Sequence, residues 1–154
     1  MEHRGACSAD AISGDGSGVM TQIPWAILQK EFPEVSESNT GVGMVFLPHK
    51  VGLEERCIQI TEEMFALENF EVLGWRDVPI DESVVGRIAK ATQPFIKQVI
   101  VRSKDNLKGD ALERELFIAR KMIERQKDAE LGEDADDFYF CTLSCRVIVY
   151  KGID

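Results

Sequence analysis

The residues able to do chemistry crowd into the opening of this 154-residue chain. His3, Arg4, Cys7, Asp10 and Asp15 stand among Gly5, Gly14, Gly16 and Gly18, with few side chains that would build a core. Cys7 is a candidate nucleophile, with His3 as base and Arg4 to lower the thiol pKa. A spacing of four residues brings His3 and Cys7 together only on a helix, and Gly5 with the later glycines opposes one. A Cys in a packed loop behaves otherwise as a small buried hydrophobe. A phosphate cradle would need a Gly-Lys-Ser/Thr ending, which is absent, and Asp15 would repel phosphate. A calcium loop would need alternating oxygen ligands and a Glu at its twelfth position, and the stretch lacks that pattern.

Chemistry elsewhere is sparse. Cys57, Cys141 and Cys145 complete the four cysteines, and no pair has the Cys-x-x-Cys spacing of a zinc or redox motif. Cys141 and Cys145 flank a predicted turn, so a disulfide, a metal role and plain strand alternation all remain open. His49 reads as a surface residue, and Trp25 and Trp75 as packing residues. No complete catalytic set and no metal constellation emerges from the residues alone. A net charge of −9 argues against nucleic-acid or anionic-membrane partners. No apolar run approaches the roughly 20 residues of a membrane span, and the N-terminus has no apolar signal region. Sparse cysteines point to reduced thiols in a cytoplasmic or plastid-stroma compartment.

The elements that would position the opening follow in order. Residues 19–23 read as a strand, Pro24 starts a helical turn through Trp25, Ile27 and Leu28, and 33–40 is a polar connection. Residues 41–47, ended by Pro48, form a continuous apolar run that fits a strand buried on both faces. A helix is predicted over 53–69, with Cys57, Ile58, Thr61, Met64, Phe65 and Glu68 at three- and four-residue steps. A strand over 70–76 leads to a loop, and Asp81 is a plausible N-cap for a short helix containing Val84, Val85 and Ile88. A strand spans 95–101. The clearest helix runs over 111–127, with Asp110 and Glu113 resembling a capping box. Residues 128–137 read as an acidic solvated loop. Strands at 138–143 and 146–150 surround a tight turn and predict a final antiparallel hairpin. Helices between the earlier strands would suit parallel pairing. The fold class is α+β, in one domain.

Several blocks carry a resemblance. Glu2-His3-Arg4-Gly5-Ala6-Cys7-Ser8-Ala9-Asp10 opens the first, followed by Ser13-Gly14-Asp15-Gly16-Ser17-Gly18 and Gln22-Ile23-Pro24-Trp25. Thr40 to Pro48, Leu73-Gly74-Trp75-Arg76-Asp77-Val78-Pro79, Glu113 to Phe117 and Leu143 to Gly152 continue the series. In their order and spacing these blocks resemble the N-terminal class II glutamine amidotransferase domain of glutamate synthase large subunits. The middle blocks are nearer the ferredoxin-dependent branch.

The resemblance implies an N-terminal-nucleophile hydrolase fold, an αββα sandwich with antiparallel sheets. It implies release of ammonia from the glutamine side-chain amide, for glutamate synthesis from 2-oxoglutarate at a distant flavin site. FMN and an iron–sulfur cluster are implied for the full-length parent only, with no cofactor in this chain. The family nucleophile is an N-terminal Cys ahead of the His-Arg-Gly block, and no Cys precedes His3. The family's glutamine-binding Arg block and the Asn-Gly pair of its oxyanion hole follow the Tyr-Lys-Gly block, beyond Asp154. Residues 1–154 are therefore expected to be part of the domain, incomplete at both ends and inactive in isolation. His3, Arg4, Gly5, Gly14, Asp15 and Gly16 are expected in the active-site vicinity, with Arg4 orienting the nucleophile's amine or the substrate. A second expectation is a non-enzymatic scaffold or split subunit, docking through unpaired strand edges with a partner that carries the missing parts. A third is a self-sufficient thiol enzyme using Cys7.

Overall fold

The computed structural model describes residues 17–50 and 52–152. His3, Arg4, Gly5, Cys7, Gly14, Asp15 and Gly16 lie outside them. Among the described residues are six strands and four α-helices, alternating until the last two strands. They are β1 Ser17–Gln22, α1 Trp25–Glu31, β2 Thr40–Leu47, α2 Leu53–Leu67, β3 Phe70–Asp77, α3 Arg87–Ala91, β4 Phe95–Ser103, α4 Gly109–Leu131, β5 Tyr139–Ser144 and β6 Val147–Gly152. The strands make a four-stranded sheet in the order β3-β4-β2-β5 and a two-stranded sheet, β1-β6.

β2 is the central strand, and all eight of its residues are buried, as its unbroken apolar run predicts. Alternation divides them between two cores. Val45 and Leu47 join the helical side, with Cys57, Ile60 and Phe65 of α2 and Leu112, Leu116, Ala119 and Ile123 of α4. Val42, Met44 and Phe46 join the other side, with Ile23, Leu28 of α1 and Ile148 of β6. The layers are therefore two helices, the large sheet, and then the β1-β6 pair with α1. Gly41 and Gly43 on the helical face make room for neighbours, because a Cβ at Gly41 would stand 2.7 Å from both Leu116 methyls. Arg56 ties α2 to α4 on the outside, pairing with Glu130 and with Glu63 at 3.0 Å.

Five sequence expectations are corrected. Among the described residues every hydrogen-bonded strand pair is antiparallel: β2 and β3 on either side of α2 run in the same direction, as do β4 and β5 on either side of α4, but β4 stands between the first two and β2 between the second two. The last two strands form no hydrogen-bonded hairpin: β5 pairs with β2, and β6 pairs with β1 in the other sheet. The acidic stretch is not a loop at its start, because α4 continues to Leu131 and a 3-10 turn spans Gly132–Ala135. Lys108 rather than Asp110 stands at the α4 N-cap, without a side-chain cap. Asp81 does cap, accepting from Ser83 N at 3.0 Å, but it opens a 3-10 turn over Glu82–Val84 that is separate from α3.

Candidate functional site

Residues 1–16 join the described structure at Ser17, and the register shows where. Ser17 lies opposite Gly152 and Val19 opposite Tyr150. The stretch holding every candidate site residue thus attaches at the end of the small sheet where β6 finishes. The β1-β6 pair is held against the large sheet through the interlayer between them.

That interlayer is mainly apolar, with Thr142 Oγ1 of β5 accepting from Val149 N of β6 at 3.4 Å and a second polar contact centred on Gln98. Gln98, on β4 between Met44 and Arg76 in the register, is 1% exposed. Its Oε1 accepts from Arg76 Nη1 at 3.2 Å, and its Nε2 donates to the Tyr150 hydroxyl at 3.5 Å. Arg76 Nε donates in turn to Glu31 Oε1 of α1 at 2.8 Å. A polar thread therefore runs from α1 through β3 and β4 to β6.

Tyr150 also borders a cleft of about 540 Å³ between the sheet and the 78–94 connection. Met44, Phe46, Ile96, Val78 and Ile80 make its walls mainly apolar. A neighbouring cleft of about 600 Å³ carries His49, Glu54, Asp77, Glu82, Lys90 and Lys97. Its lysines are paired, Lys97 with Asp77 at 2.7 Å and Lys90 with Glu82 at 2.7 Å. Donating a hydrogen bond to Asp77 holds Lys97 above its ordinary range, so it stays an ammonium and offers no nucleophile. His49 is exposed and sets its ring edge-on to Phe95, centroids 4.3 Å apart. Among the described residues no group of three or more His, Cys, Asp or Glu side chains could hold a metal ion. Nor is any described helix long and apolar enough to cross a membrane.

Residues 1–153 match the family described as class-II glutamine amidotransferases. The chain belongs to that family. It is 48% identical to a chloroplastic ferredoxin-dependent glutamate synthase of Oryza sativa subsp. japonica, over 99% of this chain and 10% of the rice protein. A Synechocystis protein named ferredoxin-dependent glutamate synthase 2 is 46% identical, with the same shares covered. The NADPH glutamate synthase large chain of Azospirillum brasilense is 36% identical, over 98% of this chain and 10% of that one. The chain spans about a tenth of the length of these relatives. Its α+β layering of helices on antiparallel sheets is a class-II amidotransferase, N-terminal-nucleophile hydrolase architecture.

Within this amidotransferase domain the β5-to-β6 corner has its own support. Glu113 of α4 accepts from Ser144 Oγ at 2.6 Å and from Cys145 N at 2.8 Å. Ser144 Oγ then accepts from Arg146 N at 2.9 Å, and Arg146 pairs with Asp110. The two residues read as a capping box thus anchor the corner where the chain changes sheets. The three described cysteines are free thiols. Burial pushes the Cys57 thiol up to about 11. Burial, followed by the Glu113 hydrogen bond and charge, pushes Cys145 up to about 11 as well. Neither is the thiolate that nucleophilic catalysis needs near neutral pH.

Glu113→Ala is expected to lower stability by about 2 kcal/mol, because two donors at the corner lose their acceptor. Urea unfolding measures it. Glu113→Gln removes the charge that disfavours the thiolate, so Cys145 should alkylate several-fold faster at pH 8.5, read by mass spectrometry.

Of the residues singled out from sequence, Trp25 packs on the interlayer and Trp75 donates from Nε1 to Glu62 at 2.8 Å. Gln98 and the anchoring role of Glu113 were not foreseen. Gln98 had a signal, as a polar residue in the run Phe95 to Val101 on the face shared with Ile96 and Ile100.

Proposed function

We propose that this chain is part of the glutamine-hydrolysing domain of a glutamate synthase, which takes ammonia from glutamine for glutamate synthesis from 2-oxoglutarate. The match of residues 1–153 to class-II glutamine amidotransferases, with relatives named as glutamate synthases, carries the reading. In such a domain a Cys thiolate attacks the side-chain amide carbon of glutamine. Ammonia leaves with the proton its nitrogen gains, and water cleaves the resulting thioester to glutamate, regenerating the thiol. His3, Arg4, Gly5, Gly14, Asp15 and Gly16 are assigned to the surroundings of that Cys, and Arg4 to orienting its amine or the substrate. FMN and the iron–sulfur cluster belong to the synthase part of the parent. The chloroplastic relatives favour a plastid or cytoplasmic setting.

None of the four cysteines here precedes His3. The 154-residue chain alone is accordingly expected to release no ammonia from glutamine. A glutamate synthase amidotransferase domain that opens on a Cys ahead of the His-Arg-Gly block is expected to release it and to lose the activity on Cys→Ala. Glutamate-dehydrogenase-coupled ammonia assay measures both. Ammonia release by the 154-residue chain that survives iodoacetamide would overturn the reading.

The β1-β6 pair favours a second reading. Among the described residues each of its strands has one partner only, leaving an edge where a complementing subunit can add a strand. A monomer by size-exclusion chromatography at micromolar concentration, unchanged on mixing with the remainder of the synthase, would dismiss it.

A further inference from the structure

The two helices of the outer layer turn rows of opposite charge away from the sheet. α4 presents Arg114, Phe117, Ile118, Lys121 and Arg125, the side opposite its buried Leu112, Leu116, Ala119 and Ile123. α2 presents Glu55, Gln59, Glu62, Glu63 and Ala66, opposite its buried Cys57, Ile60 and Met64. One row holds three cations and no carboxylate, the other three carboxylates and no cation. Contacts inside the chain use these groups only in part. Lys121 pairs with Glu124, Glu63 with Arg56, and Glu62 accepts from Trp75. Arg114 and Arg125 pair with no carboxylate among the described residues. Between them Phe117 is 59% exposed, with Lys121 Nζ 5.8 Å from its ring centroid, and Ile118 is 37% exposed.

The relative level of the rows is fixed as well. Arg56, near the start of α2, pairs with Glu130, near the end of α4, so the helices lie side by side and antiparallel. At about 1.5 Å of rise per residue, counting from that pair sets Glu62 and Glu63 level with Glu124 and Ile123, within one turn of Lys121 and Arg125. A two-fold axis between the helices and parallel to them keeps each level and exchanges the sides. It lays Glu62 and Glu63 on the Lys121–Arg125 turn of a second copy, and the mirror contact follows by symmetry. A uniformly acidic surface would suit α4 and be repelled by α2, and a uniformly basic one the reverse. The face that answers both rows is its own.

We propose that the outer face of the helical layer is a self-complementary interface on which a second copy of this chain docks, α2 of each protomer against α4 of the other. Phe117 and Ile118 supply its apolar centre, and the charged rows set its register. The docking is independent of the glutaminase reading.

Sedimentation equilibrium of the 154-residue chain at low salt should show a monomer–dimer equilibrium, half-associated at about 100 µM, as suits a small transient interface. Lys121→Glu with Arg125→Glu should weaken it at least tenfold. Glu62→Lys with Glu63→Lys should weaken it as much, although that variant is four charges less negative than the wild-type −9 and its copies repel one another less at long range. Mixed in equal amounts, the two variants should associate within about threefold of wild type, because each then meets its opposite on both helices. Phe117→Ser leaves every charge in place and should weaken the dimer about fivefold. It decides the matter if a charge-reversed variant loses its cooperative melt. A wild-type chain that stays monomeric up to about 1 mM overturns the proposal. So does a dimer that the variants retain, which would place the contact at another surface such as the β1-β6 edge. Charge-reversed variants that fold but fail to associate on mixing overturn it too.

Discussion

Phe140→Ala is expected to cost about 4 kcal/mol, in the range for truncating a buried aromatic. Phe140 is 1% exposed and sits where the central strand, its neighbour β5 and helix α2 meet. Its ring stands edge-on to Phe65, centroids 6.4 Å apart, and to Phe138 at 6.1 Å. Phe65 meets Phe70 of β3 the same way, at 5.8 Å, so the ring cluster spans the sheet from edge to edge beneath α2. The alanine leaves a void bordered by Gly43, which has no side chain to move into it. Collapse is therefore poor and the cost falls high in the range. At about 3 °C per kcal/mol for a chain of this size, the midpoint should drop by about 12 °C. Differential scanning calorimetry checks it, and a drop below about 4 °C would mean that the ring is not carrying the core as its contacts imply.

Gly43→Val is expected to cost about 3 kcal/mol by the opposite fault, too much volume. A Cβ at Gly43 would stand 2.8 Å from a Val99 methyl and 2.9 Å from the Phe140 ring, and neither can retreat. Val99 belongs to the paired strand β4, and the ring is locked among others. Urea denaturation should show a lower midpoint with an unchanged slope. The two faults are complementary. In the double variant Gly43→Val with Phe140→Ala, the new methyls enter the space the ring vacates. The combined cost should fall short of the sum by about 1–2 kcal/mol, since residues in contact do not add.

Sequence made the pieces legible and left their assembly hidden. The apolar run at β2, the Phe65-bearing stripe and the Leu112–Leu116–Ile123 stripe of α4 follow from hydrophobic period alone, and each lies where expected. Strand adjacency did not follow: the strands joined by α2 and by α4 do run in the same direction, but an antiparallel strand stands between the members of each pair, and no local pattern announces it. The hairpin reading of 138–150 failed for a related reason. A short turn between strands looks the same whether they pair or part, and Glu113, 31 residues before Ser144, decides between them. The candidate site was legible only as the His3–Gly18 blocks, through their likeness to a family. The contact of Gln98 with Arg76 and Tyr150 depends on two sheets meeting, which no local pattern encodes.

The β1-β6 pair joins residues from opposite ends of the described chain, with Ser17 against Gly152. Every contact in it closes a loop that encloses the rest of the domain, and such a closure adds an entropic barrier that local elements do not meet. The large sheet, whose β3-β4 ladder is closed by the 78–94 connection, can assemble without it. Long-range pairing of this kind forms late in folding and opens early. The small sheet therefore belongs to the last foldon to close, after the large sheet has already gained most of the domain's stability.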